Sequence, residues 1–425
     1  MMLPPAAAGS CPFAPDARGR VHVVGAGVAG LAAALALADR GARVCLYEAA
    51  RLPGGRARAL PDGTDNGTHA LLAGNRAALS FLGRIGARDD WLEPEPQGLP
   101  LLDLASGAVR RVALSAAGWL RGGTPAGLTL GGLLALCRLL LPGRDVPLAA
   151  RFAAHPRLRQ GFVEPLAVAA LNTPLSEASS ALFAAVLRRV LLPGAGRVLV
   201  ARRGLGPDLI APALAALAAR GVRVLCRVRL KAIELQGGRA AVLRFAGAEA
   251  VRLGRGERVL LALPPWEAAR LLPGTPAPVE FSPILNLHFA RPAEMPPRFL
   301  GLLGGLGQWV LLRPTGIAVT ISAAEAALAL PAEALARHAW AEVRRLATAF
   351  ALPGPWPDTP PPWRVVTERR ATPRHRPGPR CLPPRLPLPN LALAGDWTDP
   401  ALPATLEAAV RSGEDAAMAL LRSAP

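Results

Sequence analysis

A short run of glycines near the N-terminus has the spacing of a dinucleotide-binding turn. The turn consists of Gly25, Ala26, Gly27, Val28, Ala29 and Gly30. The first glycine permits a tight turn, the second lets the backbone approach a pyrophosphate, and the third lets a helix pack closely on a strand. The phosphate then meets free N–H groups at the helix N-terminus. A chain rich in Ala and Gly produces this spacing by chance, so the prediction depends on the surrounding elements.

Those surrounding elements form a β-α-β unit. A strand is predicted over residues 20–24, a helix over about residues 28–40, and a second strand over residues 43–47. Glu48 follows the second strand, about 20 residues after the glycines, where a carboxylate can bind the ribose hydroxyls. The unit therefore predicts parallel strands with a right-handed crossover and a bound dinucleotide.

A second glycine turn lies just beyond Glu48. Gly54 and Gly55 are followed by Arg56, and in this position the string resembles the flavin amine oxidase and phytoene desaturase superfamily. The resemblance implies FAD rather than NAD, with the glycines bringing the backbone close to the cofactor and Arg56 helping to bind it. Ala49 belongs to the same predicted set of contacts. In isolation such a string would be a surface turn.

The segment Asp65-Asn66-Gly67-Thr68-His69 narrows the resemblance. It is similar to the Asp-Asn-Gly-Gln-His segment of the squalene-associated FAD-dependent desaturases, which are hydroxysqualene dehydroxylases of hopanoid synthesis. Thr68 departs from the pattern, because Gln is usual there. The resemblance implies that the segment runs beside the flavin ring, with Gly67, Thr68 and His69 as cofactor contacts.

Further segments resemble the same family. They are residues 165–174 (PLAVAALNTP), residues 282–289 (SPILNLHF), the pair at 308–309, and a C-terminal segment over residues 394–413. The glycine turn is generic, whereas these segments together are fairly specific. The resemblance covers about residues 20–420.

The C-terminal segment implies additional cofactor contacts. Gly395 and Asp396 are expected at the ribityl–phosphate region of the flavin. Pro403, Ala404 and Thr405 are expected at the N-terminus of a helix directed at the isoalloxazine. Free backbone donors and the positive helix end would stabilise negative charge on reduced flavin. An ordinary helix cap is the alternative interpretation of Thr405.

The predicted fold class is α/β, with a discontinuous Rossmann-like FAD-binding domain and an inserted, helix-rich α+β substrate domain, as in the flavin amine oxidases. The FAD-binding domain is assigned to residues 20–95, 195–272 and 388–425, the substrate domain to residues 96–194 and 273–387, and a loose extension to residues 1–19. Residues 99–192 are predicted to be mostly helical. A strand over residues 222–233 ends the central piece, and the superfamily places a valine backbone there against the adenine. Val228 is the best match.

The charge and residue composition of the chain limit the classes of partner that it can bind. The net charge of +19 reflects either nucleotide bias, since Lys231 is the only lysine, or a phosphate-rich partner. Basic runs with interleaved aromatics are missing from the sequence, which argues against nucleic acid and leaves an anionic lipid surface open. Five scattered cysteines without a Cys-x-x-Cys pair predict no metal site and favour a reducing cytoplasm.

The apolar run over residues 128–141 is too short for a confident membrane span. A buried helix and a helix dipping into one leaflet both stay open. With the basic charge, the run leads us to expect peripheral contact with the inner face of the cell membrane.

Within the family named above, the implied reaction is reductive removal of the allylic hydroxyl of hydroxysqualene, an isoprenoid lipid, to give squalene. His69 is the one catalytic candidate, as an acid for the leaving hydroxyl, with a structural role as the alternative. His22 and His288 are expected to be structural. The rival functions are a carotenoid-type desaturase or saturase and a non-catalytic prenyl-binding protein. Aromatic residues are only 4% of the chain, which disfavours the aromatic cage of an amine oxidase. A second glycine-rich fingerprint for NAD(P)H is not evident, which leaves room for a separate reductase.

Overall fold

A computed structural model describes residues 19–291 and 295–423 of the chain. The extension predicted over residues 1–19 lies outside the described residues, apart from Gly19. Twelve α-helices occur within the described ranges: α1 (Val28–Ala38), α2 (Arg76–Arg84), α3 (Ala116–Leu120), α4 (Leu130–Leu140), α5 (Leu148–Arg151), α6 (Pro156–Leu158), α7 (Glu164–Leu171), α8 (Ser180–Val190), α9 (Ala211–Ala218), α10 (Pro265–Leu271), α11 (Ala332–Ala349) and α12 (Leu406–Arg422).

The strands of the same ranges are β1 (Arg20–Val24), β2 (Arg43–Glu48), β3 (Ala70–Leu72), β4 (Trp91–Leu92), β5 (Leu99–Asp103), β6 (Val109–Val112), β7 (Val198–Ala201), β8 (Arg223–Cys226), β9 (Leu230–Gln236), β10 (Arg239–Phe245), β11 (Val251–Arg252), β12 (Arg258–Leu261), β13 (Phe281–Phe289), β14 (Arg298–Leu303), β15 (Trp309–Arg313), β16 (Gly316–Ser322), β17 (Trp363–Pro373) and β18 (Leu391–Leu393).

A five-stranded parallel sheet with the order β18-β12-β1-β2-β8 carries the glycine turn. Its strands come from the N-terminal, central and C-terminal parts of the chain. Strands β1, β12 and β18 are buried along all or almost all of their length, as expected for a parallel sheet covered on both faces. Helix α1 is buried along almost its whole length and packs against α12. The two helices cross closely, since a Cβ on Gly413 would lie 2.1 Å from the carbonyl oxygen of Ala29.

A seven-stranded mixed sheet forms the second large layer, in the order β17-β13-β16-β15-β14-β5-β6. Its pairs are antiparallel except β14 with β5. One apolar core lies between this sheet and α11, and another lies between the sheet and helices α4 to α8. The mixed α/β architecture agrees with the predicted fold class. The domain boundaries assigned from the sequence stay a prediction.

Three local predictions were wrong in detail. The helix expected over residues 28–40 ends at Ala38. The strand expected over residues 222–233 is two strands, β8 and β9, because Arg227 takes a left-handed conformation with φ +61° and interrupts it. The region 99–192, expected to be mostly helical, begins with the strands β5 and β6. Strand β5 (LPLLD) pairs with β6 (VRRV) on one side and with β14 on the other, and periodicity within the segment cannot reveal the partner β14.

Candidate active site

The glycine turn links the end of β1 to the start of α1. Gly25 has φ +102°, a conformation that strains residues with a Cβ, and its N–H donates to the carbonyl of Tyr47 at 2.7 Å. A Cβ on Gly30 would lie 1.8 Å from the carbonyl oxygen of Gly25, so this position needs glycine for packing. Gly27 is different, because a Cβ there would meet nothing nearer than the Cα of Gly55 at 3.9 Å. The space beside Gly27 is therefore open.

The start of α1 lacks a side-chain cap. Gly27 is the N-cap residue and has no side chain that could accept a hydrogen bond from the first turn, which includes Val28 and Ala29. The leading N–H groups of a helix have no partner within the helix. Together with the open space beside Gly27, they form a cradle that fits a pyrophosphate. This cradle is the observation on which the fit of a dinucleotide rests.

Glu48 lies at the edge of the same cradle. Its Oε2 accepts a hydrogen bond from the N–H of Ala26 at 2.8 Å, and its Oε1 accepts one from the N–H of Ala50 at 2.7 Å. The N–H of Val228 donates to the backbone carbonyl of Glu48 at 2.8 Å. Each carboxylate oxygen keeps a lone pair for a ribose hydroxyl. The structure thus brings Glu48 and Val228 together beside the turn, and the predicted contact Ala49 lies exposed between Glu48 and Ala50.

The second glycine turn packs directly on the first. The N–H of Gly54 donates to the carbonyl of Ala26 at 2.8 Å, and Gly54 pairs with Gly27 in an isolated parallel bridge. Gly54 and Gly55 have φ values of +115° and +57°, which explains why both are glycine. The adjacent Arg56 leaves this turn toward the C-terminal segment.

Arg56 joins the N-terminal and C-terminal segments. Its Nη2 lies 2.7 Å from Oδ1 of Asp396, and its Nη1 donates to the carbonyl of Ala371. Burial lowers the pKa of Arg56, but the ion pair with Asp396 more than offsets this, so the net pKa is raised. Asp396 itself is buried and follows Gly395, whose N–H donates to Oγ of Ser412 at 3.0 Å. The predicted contacts Arg56, Gly395 and Asp396 therefore share one network.

The segment 65–69 is held by buried polar contacts from distant strands. Oδ2 of Asp65 lies 2.7 Å from Nη1 of Arg313, and Oδ1 accepts from the N–H of Leu205 at 2.7 Å. The N–H of Thr68 donates to Oδ1 of Asn286 at 3.3 Å. Sequence reasoning did not single out Arg313, and the only signal was an arginine ending the apolar strand WVLLR. These contacts fix the backbone of the segment from both sides.

His69 is arranged as a neutral ring. Its Nδ1 lies 3.1 Å from the carbonyl oxygen of Gly67, and since a carbonyl only accepts, Nδ1 carries the proton. Burial lowers the pKa of His69, although the hydrogen bond to Gly67 and the nearby Asp65 oppose this. The ring thus presents the lone pair of Nε2 near neutral pH. This tautomer favours an acceptor over the predicted acid, and the catalytic role stays a prediction.

The other two histidines that the sequence analysis weighed lie on strands. His22 is buried on β1, with Nδ1 3.0 Å from the hydroxyl of Tyr47. His288 is half-buried on β13, and burial lowers its pKa to about 4. Neither lies in the glycine turns.

Thr405 is the N-cap of α12. Its hydroxyl accepts a hydrogen bond from the N–H of Ala408 at 3.2 Å, which is the ordinary capping role that the sequence analysis left open. Pro403 and Thr405 also line the large cavity described below. The residue therefore caps the helix and at the same time directs the positive end of α12 at that cavity.

His375 supports this helix terminus, and the sequence analysis missed it. Its ring Nε2 accepts a hydrogen bond from the backbone N–H of Ala404 at 3.0 Å, and its backbone N–H donates one to Oγ1 of Thr173 at 3.0 Å. Burial, together with the smaller effect of the nearby Arg380, lowers the pKa of His375 to about 3, so the ring is neutral. A lone histidine between arginines and prolines gives no periodic signal, so this position could not have been found by pattern.

A cavity of about 1220 Å³, its open mouth included, extends from the 65–69 segment and the start of α12. Its walls are largely apolar side chains from the seven-stranded sheet, from strand β3 and from helices α7 and α8, among them Leu72, Leu99, Leu166, Val186, Ile284 and Phe299. Three polar groups in the lining, Oγ1 of Thr68, Nη1 of Arg189 and Nε1 of Trp309, are buried and have no hydrogen-bond partner among the described residues. Unpaired buried donors are uncommon and call for a ligand or a water.

Within residues 19–291 and 295–423, His, Cys, Asp and Glu side chains nowhere form a group of three or more that could hold a metal ion. Across the same ranges, each helix is too short or too polar to cross a membrane.

Comparisons with known proteins give a consistent result. The sequence pattern of the flavin containing amine oxidoreductases matches residues 28–421. The chain is 39% identical over 414 residues to hydroxysqualene dehydroxylase of Rhodopseudomonas palustris, covering 93% of this chain and 97% of that protein. It is 36% identical over 421 residues to hydroxysqualene dehydroxylase of Zymomonas mobilis, with the same coverage of both chains.

Solved structures share the fold at low identity. Cyclohexylamine oxidase from Brevibacterium oxydans superposes with a TM-score of 0.70 at 18% identity, covering 96% of this chain and 99% of that one. Putrescine oxidase bound to putrescine superposes with a TM-score of 0.69 at 17% identity, covering 96% and 100% of the two chains. At these identities the likeness establishes the fold alone.

Proposed function

Since the chain belongs to the flavin-containing amine oxidoreductases and, within them, to the hydroxysqualene dehydroxylase family, it is a flavin-dependent oxidoreductase, and we propose that it uses FAD to convert hydroxysqualene to squalene in hopanoid synthesis. The observation that carries the substrate assignment is the largely apolar cavity, which begins at the 65–69 segment and the start of α12 and continues between apolar side chains. Such a cavity suits a long isoprenoid hydrocarbon with a single polar group.

The residues of the cradle fit FAD. The turn at Gly25 to Gly30 and the start of α1 would hold the pyrophosphate, and Glu48 would bind the adenosine ribose. Arg56 and Asp396 would hold the ribityl–phosphate region, and the start of α12 would face the isoalloxazine. When bound, the flavin supplies the hydride that replaces the hydroxyl.

Side chains of the protein itself would bind the leaving hydroxyl and exclude water from around it. Oγ1 of Thr68, Nη1 of Arg189 and Nε1 of Trp309 are the buried groups of the lining that have no hydrogen-bond partner among the described residues, and each can donate a hydrogen bond to the substrate oxygen. Donation to that oxygen promotes C–O cleavage, because it stabilises the negative charge that develops there. The apolar walls exclude water, which protects an allylic cation from being recaptured.

The direct test is an anaerobic incubation of the reduced, FAD-loaded protein with hydroxysqualene, followed by lipid analysis. We expect squalene to form in proportion to the reduced flavin that is oxidised. An absence of squalene while phytoene is converted would instead support the desaturase alternative, and flavin-free protein after gentle purification would support a non-catalytic prenyl-binding protein.

Two partners belong to the same proposal. A separate reductase would supply electrons, because the sequence offers no second glycine-rich fingerprint for NAD(P)H. The protein would work in the cytoplasm in peripheral contact with the inner face of the cell membrane, where its lipid substrate resides. The reductase is tested by adding NAD(P)H alone: rapid reduction of the bound flavin would remove the need for it.

A further inference from the structure

Helix α4 presents apolar side chains on two opposite sides. One side packs into the protein through Gly132, Leu136 and Leu139. The other side carries leucines exposed to solvent: Leu130 (75% exposed), Leu133 (38%), Leu134 (48%) and, at the C-cap, Leu141 (63%). At roughly 100° of rotation per residue, these exposed positions span an arc of about 100° opposite the buried ones. The outward face of α4 is therefore a continuous apolar stripe.

The stripe lies in a short stretch of the chain in which exposed apolar side chains are concentrated. Twelve large hydrophobic side chains are exposed among the described residues, and five of them fall within residues 120–141. The fifth is Leu120 at the end of α3, which is 91% exposed. Single exposed leucines are normal, whereas a cluster of this kind marks an interaction surface.

The charge around this surface is strongly positive. Residues 116–160 contain six arginines and one acidic residue. Arg121, Arg138, Arg144 and Arg157 are exposed. The single carboxylate, Asp145, is occupied by hydrogen bonds from Ser179, Ser180 and the N–H of Ala181. Exposed apolar side chains and exposed arginines in the same stretch of chain match a bilayer that contains anionic phospholipids, whose headgroups would face the guanidinium groups.

The surface lies next to the substrate cavity. Helix α4 packs against α8, and Nη2 of Arg188 on α8 donates to the carbonyl of Leu140 at 2.8 Å. Helix α8 supplies Val186, Arg189 and Val190 to the cavity lining. One wall of the cavity is thus shared with the element that carries the exposed leucines.

We propose that the outward face of α4, with Leu120, docks on an anionic bilayer, with its leucines among the acyl chains and its arginines at the phosphates, so that the lipid substrate passes from the bilayer to the cavity beside α8. The docking rests on the exposed leucines and arginines alone. The passage of substrate rests in addition on the proposed function.

The test is sedimentation of the FAD-loaded protein with vesicles of phosphatidylcholine, with and without phosphatidylglycerol. The wild-type protein is expected to bind the anionic vesicles, and high salt should weaken the binding. The double variant Leu133→Gln, Leu134→Gln should bind about 10-fold less or weaker still, because two leucines no longer enter the apolar phase. The matched control is Leu235→Gln on β9, a leucine of similar exposure (52%), which should bind as the wild type does.

Three results would overturn the docking proposal. The first is an absence of wild-type binding to anionic vesicles, and the second is equal binding by the wild type and the double variant. The third is a wild-type protein that is oligomeric and does not bind vesicles, with a double variant that is monomeric. The last result would identify the face as a contact between copies of the chain. Melting temperature and flavin content serve to verify that the double variant is folded.

A kinetic comparison separates the docking from the proposed function. With substrate presented in vesicles the double variant should lose activity, and with substrate in detergent it should match the wild type. Vesicle binding without any squalene formation would refute the proposed function and leave the docking intact.

Discussion

Two alanine substitutions in the glycine turn test whether its glycines serve packing or ligand binding. Gly27 has φ −73° and ψ 176°, values that alanine adopts without strain, and a Cβ there would approach only the Cα of Gly55 at 3.9 Å. At Gly30 a Cβ would lie 1.8 Å from the carbonyl oxygen of Gly25 and 3.2 Å from the Cβ of Ala262. One substitution adds a methyl group to open space and the other drives it into the backbone.

The expected magnitudes follow from this difference. Gly27→Ala should leave the apoprotein as stable as the wild type or stabilise it by about 0.4–1 kcal/mol, because the unfolded chain loses freedom. The new methyl occupies space that a pyrophosphate needs, and overpacking of about 1–3 kcal/mol raises the Kd for FAD by about 5- to 150-fold. Gly30→Ala should lower stability by about 3 kcal/mol or more, because β1 and α1 must separate.

The assays are calorimetric titration of the apoprotein with FAD and thermal melting of the same preparations. Gly27→Ala should melt like the wild type and bind FAD weakly, whereas Gly30→Ala should melt at a lower temperature. Wild-type affinity for FAD in Gly27→Ala would refute the reasoning, since it would show that the open space beside Gly27 does not receive the pyrophosphate.

Three further predictions concern buried groups. Arg313→Met leaves the carboxylate of Asp65 buried without its ion partner, and we expect a loss of about 3–5 kcal/mol, seen as a lower midpoint in urea denaturation; an unchanged midpoint would show that the pair is dispensable. The folded pKa of His375, about 3, lies below its unfolded value of 6.5, so the unfolded chain binds the extra proton between these values. The contribution of His375 to stability is therefore complete above pH 6.5 and is lost at up to about 1.4 kcal/mol per pH unit as pH falls toward 3. The difference in free energy of unfolding between the wild type and His375→Gln should shrink over that window. A difference that does not change with pH would contradict the neutral ring. Trp309→Phe keeps the stacking on Phe299 but removes the N–H, so kcat should fall about 10-fold with KM little changed, and equal kcat values would exclude Trp309 as a donor to the leaving hydroxyl.

The parts of the site that could be predicted are those whose conformation depends on residues close together in the sequence. The turn at Gly25 to Gly30 and the carboxylate of Glu48 are readable because a tight turn, a helix start and a strand end all fall within one β-α-β unit. The same holds for the N-cap at Thr405, where a hydroxyl precedes an amphipathic helix. In each case neighbouring residues carry the full signal.

The contacts that escaped prediction join residues far apart in the chain. Arg313 reaches Asp65 from the end of strand β15, and His375 reaches Ala404 from a loop. Neither has a local pattern, because each depends on how the two large sheets are placed. The strands β5 and β6 were missed for a similar reason, since a short run such as LPLLD in β5 fits a strand or a helix until its partner β14 is known.

The parallel sheet has a consequence for how the protein is made. Its order, β18-β12-β1-β2-β8, sets β1 beside β12, which begins at Arg258, and sets β12 beside β18, which begins at Leu391. A ribosome therefore releases β1 and β2 long before their remaining neighbours exist, and the exposed edge of β1 must wait for most of the chain to be synthesised. Sheets with such distant neighbours close slowly and are prone to aggregation while open. We therefore expect the flavin to be acquired after synthesis is complete, and chaperone supply to limit the yield of active protein.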